Sequence, residues 1–269
     1  MRIKALVRGV GDVGSAVAHR FHQEGVKTVL HDVPFPAWTR RKMAFTDAVF
    51  DGEAELAGVR AERVDDLSVL EDRLASNCVA VWVHDLLEIT HAFRPDILVD
   101  ARMRKRHNPE PQMDAARLTI GLGPNFIAKE TTHVVIETAW GNTLGTVITD
   151  GTAEPQQGGP RMIGGLGIER IVYSPEEGLF TSGFAIGDCV TAGQVVAHVG
   201  QAAISAPVDG WIRGLTRSGV PVARRTKVIE IDPRGLDAVF TGIGERPAKI
   251  ADGVIRAVRA WASPSARTE

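Results

Sequence analysis

The chain opens on a change of hydrophobic period. Ile3 to Val7 is a short, mostly apolar run ending in Arg8-Gly9, and it predicts a strand. Val13 to Glu24 follows with Val13, Val17 and Phe21 on one helical face, and Gly25 stops it. Thr28 to His31 predicts a second strand ending in Asp32. Strand, helix and strand make a β-α-β unit of about thirty residues.

Beyond Pro34 the pattern shortens. Ala48 to Phe50 and Ala54 to Val59 predict short strands separated by Asp51-Gly52, a small inserted hairpin. Asp65-Asp66 opens a helix through Leu67, Leu70 and Leu74 that ends near Asn77. Val79 to Val83, Ile97 to Val99, Leu118 to Ile120 and Val134 to Ile136 have the near-continuous apolar character of buried parallel strands. Strands interleaved with helices predict an α/β sheet. Residues 151–167 carry Pro155, Pro160 and six glycines, and predict a long loop.

After Ser174 the chain repeats itself. Pro175-Glu-Glu-Gly178 aligns with Pro207-Val-Asp-Gly210 at an offset of 32 residues, and Gly187 with Gly219, Val190 with Val222, Val196 with Val228 and Val199 with Ile231. A fixed-period duplication of short strands and turns predicts a pseudo-symmetric β unit. Strand alternation places Val195, Ala197 and Val199 on one face and His198 on the other. Asp232-Pro-Arg-Gly235 closes the unit with type I turn residues. Pro247 to Trp261 predicts an amphipathic helix, and the tail from Ser263 to Glu269 is expected to be disordered. The expected fold is thus α/β, a Rossmann-like parallel-sheet domain with a small insertion over 1–170. A lipoyl/biotinyl-like β barrel-sandwich hybrid follows over 171–235, then a C-terminal helix and tail over 236–269.

Composition narrows the function. The 269 residues carry 31 Lys plus Arg against 33 Asp plus Glu, so no global field draws the chain to nucleic acid or to a membrane surface. Two distant cysteines, Cys78 and Cys189, make no disulfide framework, and Met1 to Val7 lacks the long apolar core of a signal peptide, so a cytoplasmic location is expected. The longest apolar run, Cys78 to Val83, is too short to span a bilayer.

The sharpest chemical signal is Gly9-Val-Gly11-Asp12-Val-Gly14, a G-x-G-x-x-G between a predicted strand and helix. Gly9 permits the tight turn, Gly11 leaves room for a pyrophosphate, and Gly14 lets helix and strand approach. The helix N-terminus adds free N–H groups and partial positive charge. Asp32 ends the next strand, 18 residues after Gly14, where a carboxylate can bond a ribose hydroxyl. Arg8, Asp100, Gly121, Gly123 and Glu137 also fall at or just after predicted strand ends, which share one edge in a parallel sheet. Arg40 and Arg41 follow the second strand, near where an adenine or 2′-phosphate would lie; the competing reading is a solvated surface pair. The run Arg102-Met-Arg-Lys-Arg-His107 faces either an anionic ligand or solvent. His84, Glu88 and His91 would share a helical face at metal-ligand spacing, yet no second cluster completes a site, and no metal is expected. The segment Val199 to Ser205 joining the repeats lacks the lysine that carries a swinging-arm cofactor.

The glycine turn and a series of later motifs resemble the accessory family of the selenium-dependent molybdenum hydroxylase system. These are Arg40-Arg-Lys-Met-Ala-Phe45 to Gly52, Asp100-Ala-Arg102-Met103, Ile120-Gly-Leu-Gly-Pro124-x-Phe126, Val135-Ile-Glu-Thr138, Gly151-x-Ala-x-Pro155, Ile163-Gly-Gly165, Glu169-Arg170 and Asp232-Pro-Arg-Gly235. Asn142 stands where that family tends to carry a histidine, and Asn125 where a glycine is expected. The resemblance implies a molybdenum-enzyme maturation protein with a molybdenum hydroxylase as partner. Its ligand would be NAD(P) or a molybdopterin-type dinucleotide. Two other readings stay open: an NAD(P)-dependent oxidoreductase, and a non-catalytic ligand-binding scaffold. The sequence names no catalytic residue, and association with copies of itself is compatible with it.

Overall fold

A computed structural model describes residues 3–104, 108–155 and 159–263. Their contacts divide into two compact units, one drawn from Met1–Pro34, Ala44–Gln157 and Ile243–Glu269, the other from Phe35–Met43 and Gly158–Gly242. Among the described residues no helix is long and apolar enough to cross a membrane.

In the first unit the chain runs β1 (Lys4–Arg8), α1 (Asp12–Gln23), β2 (Lys27–His31), α2 (Ala48–Asp51), β3 (Glu53–Leu56), β4 (Val59–Arg63), α3 (Leu70–Ala75), β5 (Val79–Trp82), α4 (Leu86–Phe93) and β6 (Ile97–Asp100). It continues through β7 (Leu118–Leu122), β8 (Ile127–Ala128), β9 (Val134–Ile136), β10 (Val147–Ile148) and β11 (Gly151–Thr152). A nine-stranded sheet has the order β10-β9-β7-β6-β1-β2-β5-β4-β3. Its inner strands are parallel, and all but β4 and β9 are buried on both faces, which is why β1, β2, β5, β6 and β7 read as mainly apolar runs. The expected Rossmann-like parallel sheet is corrected here: β3 and β10 run antiparallel at the two edges, so the sheet is a large mixed one. From β1 the sheet grows through β2 on one side and β6 on the other, and the strand order reverses between β1 and β6.

The inserted hairpin exists but is displaced from its expected position. Ala48–Asp51 is a helical turn closed by Gly52, and the hairpin turn is Ala57-Gly58, both with positive φ (47° and 80°). Two left-handed central residues make the turn whose twist suits a two-residue hairpin. Asp66 caps a 3-10 turn over Leu67–Val69, its carboxylate accepting from Ser68 N; α3 follows directly, and Asn77 takes a left-handed φ of 60° just past its end.

In the second unit the strands are β12 (Ile171–Tyr173), β13 (Gly178–Thr181), β14 (Cys189–Val190), β15 (Val195–Val199), β16 (Ala202–Ser205), β17 (Gly210–Leu215), β18 (Pro221–Val222) and β19 (Lys227–Asp232). The 32-residue repeat maps β13 onto β17, β14 onto β18 and β15 onto β19, and the repeats exchange their short strands: β13 pairs β18 while β17 pairs β14. Gly187 and Gly219, equivalent by the repeat, both turn the chain with positive φ (101° and 87°). The result is two four-stranded antiparallel sheets, β16-β15-β13-β18 and β12-β19-β17-β14. No ladder joins them among the described residues. The expected lipoyl/biotinyl-like barrel-sandwich hybrid is therefore corrected to a pair of four-stranded sheets, with no closed barrel among the described residues. Helix α5 (Glu245–Ala262) then belongs to the first unit, where it packs on α1 and its Arg259 pairs with Glu24 at 2.9 Å.

Candidate functional site at the carboxyl edge of the first sheet

The glycine turn is fixed by its neighbours before any ligand is considered. Gly9 has φ +108° and donates its N–H to His31 O at 2.7 Å; a Cβ there would sit 2.8 Å from Ala101 O, past the end of β6. Gly14 faces the turn so closely that any Cβ would collide with the Gly9 carbonyl oxygen. Asp32 Oδ2 accepts from Val10 N (2.8 Å) and Oδ1 from Val33 N (2.8 Å). Val10 O in turn accepts from Ser15 Oγ (3.0 Å) and Thr46 Oγ1 (2.9 Å). Gly11 is the N-cap of α1 with extended backbone (φ −69°, ψ −179°) and no side chain to cap the helix, and Asp12 opens its first turn.

Strand register carries the rest. Arg8 stands opposite both His31 and Asp100, and Asp100 opposite Gly121, so these residues form one row at the carboxyl ends of β2, β1, β6 and β7. Asp100 is buried and is the acceptor for Arg102 Nε (2.9 Å to Oδ1), Arg102 Nη2, and Gln112 Nε2 (2.8 Å to Oδ2). Arg8 Nη1 lies 3.6 Å from the same carboxylate. In front, Arg8 Nη1 (2.7 Å) and Arg102 Nη2 (2.8 Å) converge on a single oxygen, Glu110 Oε1. Partial burial pushes the Glu110 carboxyl up. Its own backbone N–H and the two guanidiniums outweigh that and hold it down at about 2. Burial lowers the Arg8 pKa, while for Arg102 the burial penalty is outweighed by Asp100 and Glu110. Two polar atoms in this network are buried without a hydrogen-bond partner, Arg8 Nε and Gln112 Oε1.

Of the residues expected to meet here, Arg8, Gly9, Gly11, Asp12, Gly14, Asp32 and Asp100 do lie on this edge. Arg40 and Arg41 are corrected: they belong to the second unit, where Arg40 holds Glu230 through Nε and Nη2 (both 3.0 Å) and Arg41 Nε donates to Leu215 O (2.8 Å). Gly121 and Gly123 serve packing, since a Cβ at Gly121 would enter the Phe126 ring and one at Gly123 would press on Thr138 Oγ1 (2.6 Å). Glu137 is buried and anchors a loop, accepting from Thr138 N, Ala139 N and Glu154 N, each at 2.7 Å. The helical face expected to carry His84, Glu88 and His91 is corrected for a geometric reason. His84 precedes Asp85, the N-cap of α4, so it is not on the helix with Glu88 and His91. Within the basic run, 105–107 lie outside the described residues. Glu110 and Gln112 were not anticipated; their Pro-flanked segment offers no periodicity or motif, and only the fold carries them back to Asp100.

No protein-family model matches the chain. A curated relative from Escherichia coli (strain K12), described as uncharacterized protein YqeB, is 36% identical over 253 residues, covering 94% of this chain and 47% of that protein. The chain thus spans about half the length of the curated relative it matches. Among solved structures, the ectoine utilization protein EutE (DoeB) from Ruegeria pomeroyi is similar at 14% identity and TM-score 0.25 over 86% of this chain and 85% of that one. A putative succinylglutamate desuccinylase/aspartoacylase from Shewanella frigidimarina NCIMB 400 is similar at 12% identity and TM-score 0.24, over 87% and 89%. Scores this low transfer no activity. No family model supports membership of the molybdenum hydroxylase accessory family, and none of these proteins is named as such an accessory protein. The expected family membership is corrected on that finding, and with it the molybdenum-maturation function, the selenium link and the biotinyl/lipoyl module.

Proposed function

We propose that the first unit binds a nucleotide diphosphate across the carboxyl ends of β1, β2 and β6, with NAD(P) the leading candidate. The observation that carries this reading is the coincidence of two independent features. The Gly9–Gly14 turn leads directly into the N-terminus of α1, and it does so at the strand-order reversal between β1 and β6. Open α/β sheets bind ligands at such reversals, because the loops on either side diverge and leave a crevice there. Backbone N–H groups at the start of α1 suit phosphate oxygens, and its dipole favours their charge. The hydrogen bonds from Ser15, Thr46 and Val10 fix the turn in advance, which lowers the ordering cost of binding.

The test is calorimetry of the wild-type chain and Gly11→Val with NAD, NADP and ADP. A valine side chain over the phosphate path should weaken binding by at least about tenfold, roughly one charge-assisted hydrogen bond, with no loss of thermal stability. Equal affinities in the two proteins would remove the nucleotide reading.

A further inference from the structure

Two guanidiniums that converge on one oxygen repel each other, and that repulsion is offset by the carboxylates they share. Arg8 and Arg102 do so at Glu110 Oε1, at 2.7 and 2.8 Å. Behind them Asp100, 2% exposed, orients Arg102 through both of its oxygens and is itself held by Gln112. This rear carboxylate is locked and cannot leave without stranding buried charge. The front one differs. The Glu110 side chain is 49% exposed and comes from a segment outside any strand or helix. Taking the four charges together, two cations and two carboxylates balance; with Glu110 turned to water, one positive charge remains facing the crevice. Arg8 also keeps a buried Nε with no acceptor among the described residues.

We propose that Arg8 and Arg102 form an anion subsite of the crevice, and that the Glu110 carboxylate is a built-in occupant which a phosphate oxygen of the ligand displaces. The exchange is of one charge-assisted acceptor for another, so it costs little in the rear network. Asp100 and Gln112 keep the two guanidiniums aimed while the front oxygen changes. Glu110 then acts as an internal competitor that sets a threshold on affinity and discriminates against ligands lacking a phosphate to take its place. This inference rests on the nucleotide reading for the identity of the ligand but not for the existence of the subsite.

Inorganic pyrophosphate, which has no nucleoside, separates the two. Calorimetric titration of wild type, Glu110→Gln and Glu110→Ala should show both variants binding pyrophosphate tighter, on the order of tenfold, as a competing charged acceptor is lost. Arg102→Lys in the Glu110→Ala background should remove most of that gain, because a single ammonium cannot hold both Asp100 and the anion in the same planar geometry. Unchanged pyrophosphate affinity in both Glu110 variants would overturn the proposal. If Gly11→Val left NAD(P) and ADP binding intact while Glu110→Ala still tightened pyrophosphate, the subsite would stand and the nucleotide assignment would fall.

Discussion

The molecule contains two clusters of arginines around carboxylates, one in each unit, and they differ in burial rather than in ingredients. In the first unit Arg8 and Arg102 share Asp100 behind and Glu110 in front, and Glu110 is half open to water. In the second unit Glu230 is fully buried and held by Arg170 Nη1 at 2.7 Å, by Arg40 at 3.0 Å, by Arg213 at 3.4 Å and by Lys227. Asp232, two residues on along β19, takes Arg213 and Arg234. Arg170 is itself only 1% exposed. A buried ion cluster is fixed by the desolvation cost of breaking it, whereas a half-exposed one can trade a partner for water or a ligand at small cost. The second cluster is therefore a structural knot, and the first is the one we propose as a ligand site.

Removing Glu230 should have the largest effect. Glu230→Ala leaves Arg170 buried without its counter-charge, and denaturant unfolding should show a loss of roughly 3–5 kcal/mol. Arg40→Ala removes two hydrogen bonds to the same carboxylate while other cations remain, so a loss of about 1.5–3 kcal/mol is expected. Its NAD(P) affinity should match wild type; a weakened affinity would return Arg40 to the ligand and blur the contrast between the clusters.

Acid sharpens the comparison. Glu110 is depressed from 4.5 to about 2, and Glu230 lies well below 4.5. Burial opposes ionisation in both, and the surrounding cations overcome it. Each depressed carboxylate contributes stability that is full above its unfolded pKa near 4.5 and is lost as pH falls through its folded pKa. Unfolding followed from pH 6 down to about pH 2 should therefore show stability falling below pH 4.5, with a shallower fall in the Glu110→Gln protein. An identical pH profile for that variant would mean that the front ion pair contributes nothing. The smallest effect is on stability at neutral pH: Glu110→Gln should change it by less than about 1 kcal/mol, the range for a solvent-exposed pair.

Parts of this contrast were legible beforehand. Arg8 and Asp100 could be placed at strand ends because parallel strands announce themselves as short apolar runs. Glu110 could not, since nothing local in a Pro-flanked loop fixes where it lands. For Arg40, proximity in sequence to β2 does not give proximity in space, because residues 35–43 belong to the other unit. Glu137 falls just past a strand end, as its position in the sequence predicts, but its three amide partners are supplied by the chain folding around it, including Glu154, 17 residues on. In β15 strict alternation was expected to bury Val195 with Ala197 and Val199; a register shift between Val195 and Ala197 exposes Val195 and buries Val196, while His198 stays outward.

Sequence alone determined what local periodicity and backbone sterics can specify. That covers the β1-α1-β2 unit, the glycine at position 14 that only a missing Cβ allows, and the duplicated strands at a 32-residue offset. Tertiary structure decided everything that depends on long-range return of the chain. It alone set the antiparallel edges of the large sheet, the exchange of short strands between repeats, and the transfer of Arg40 to the second unit. It also decided which carboxylate each arginine meets. Hydrophobic spacing reports only whether a residue is inside or outside, while a charged side chain's role depends on partners far along the chain, as with Arg8 and Glu110, 102 positions apart.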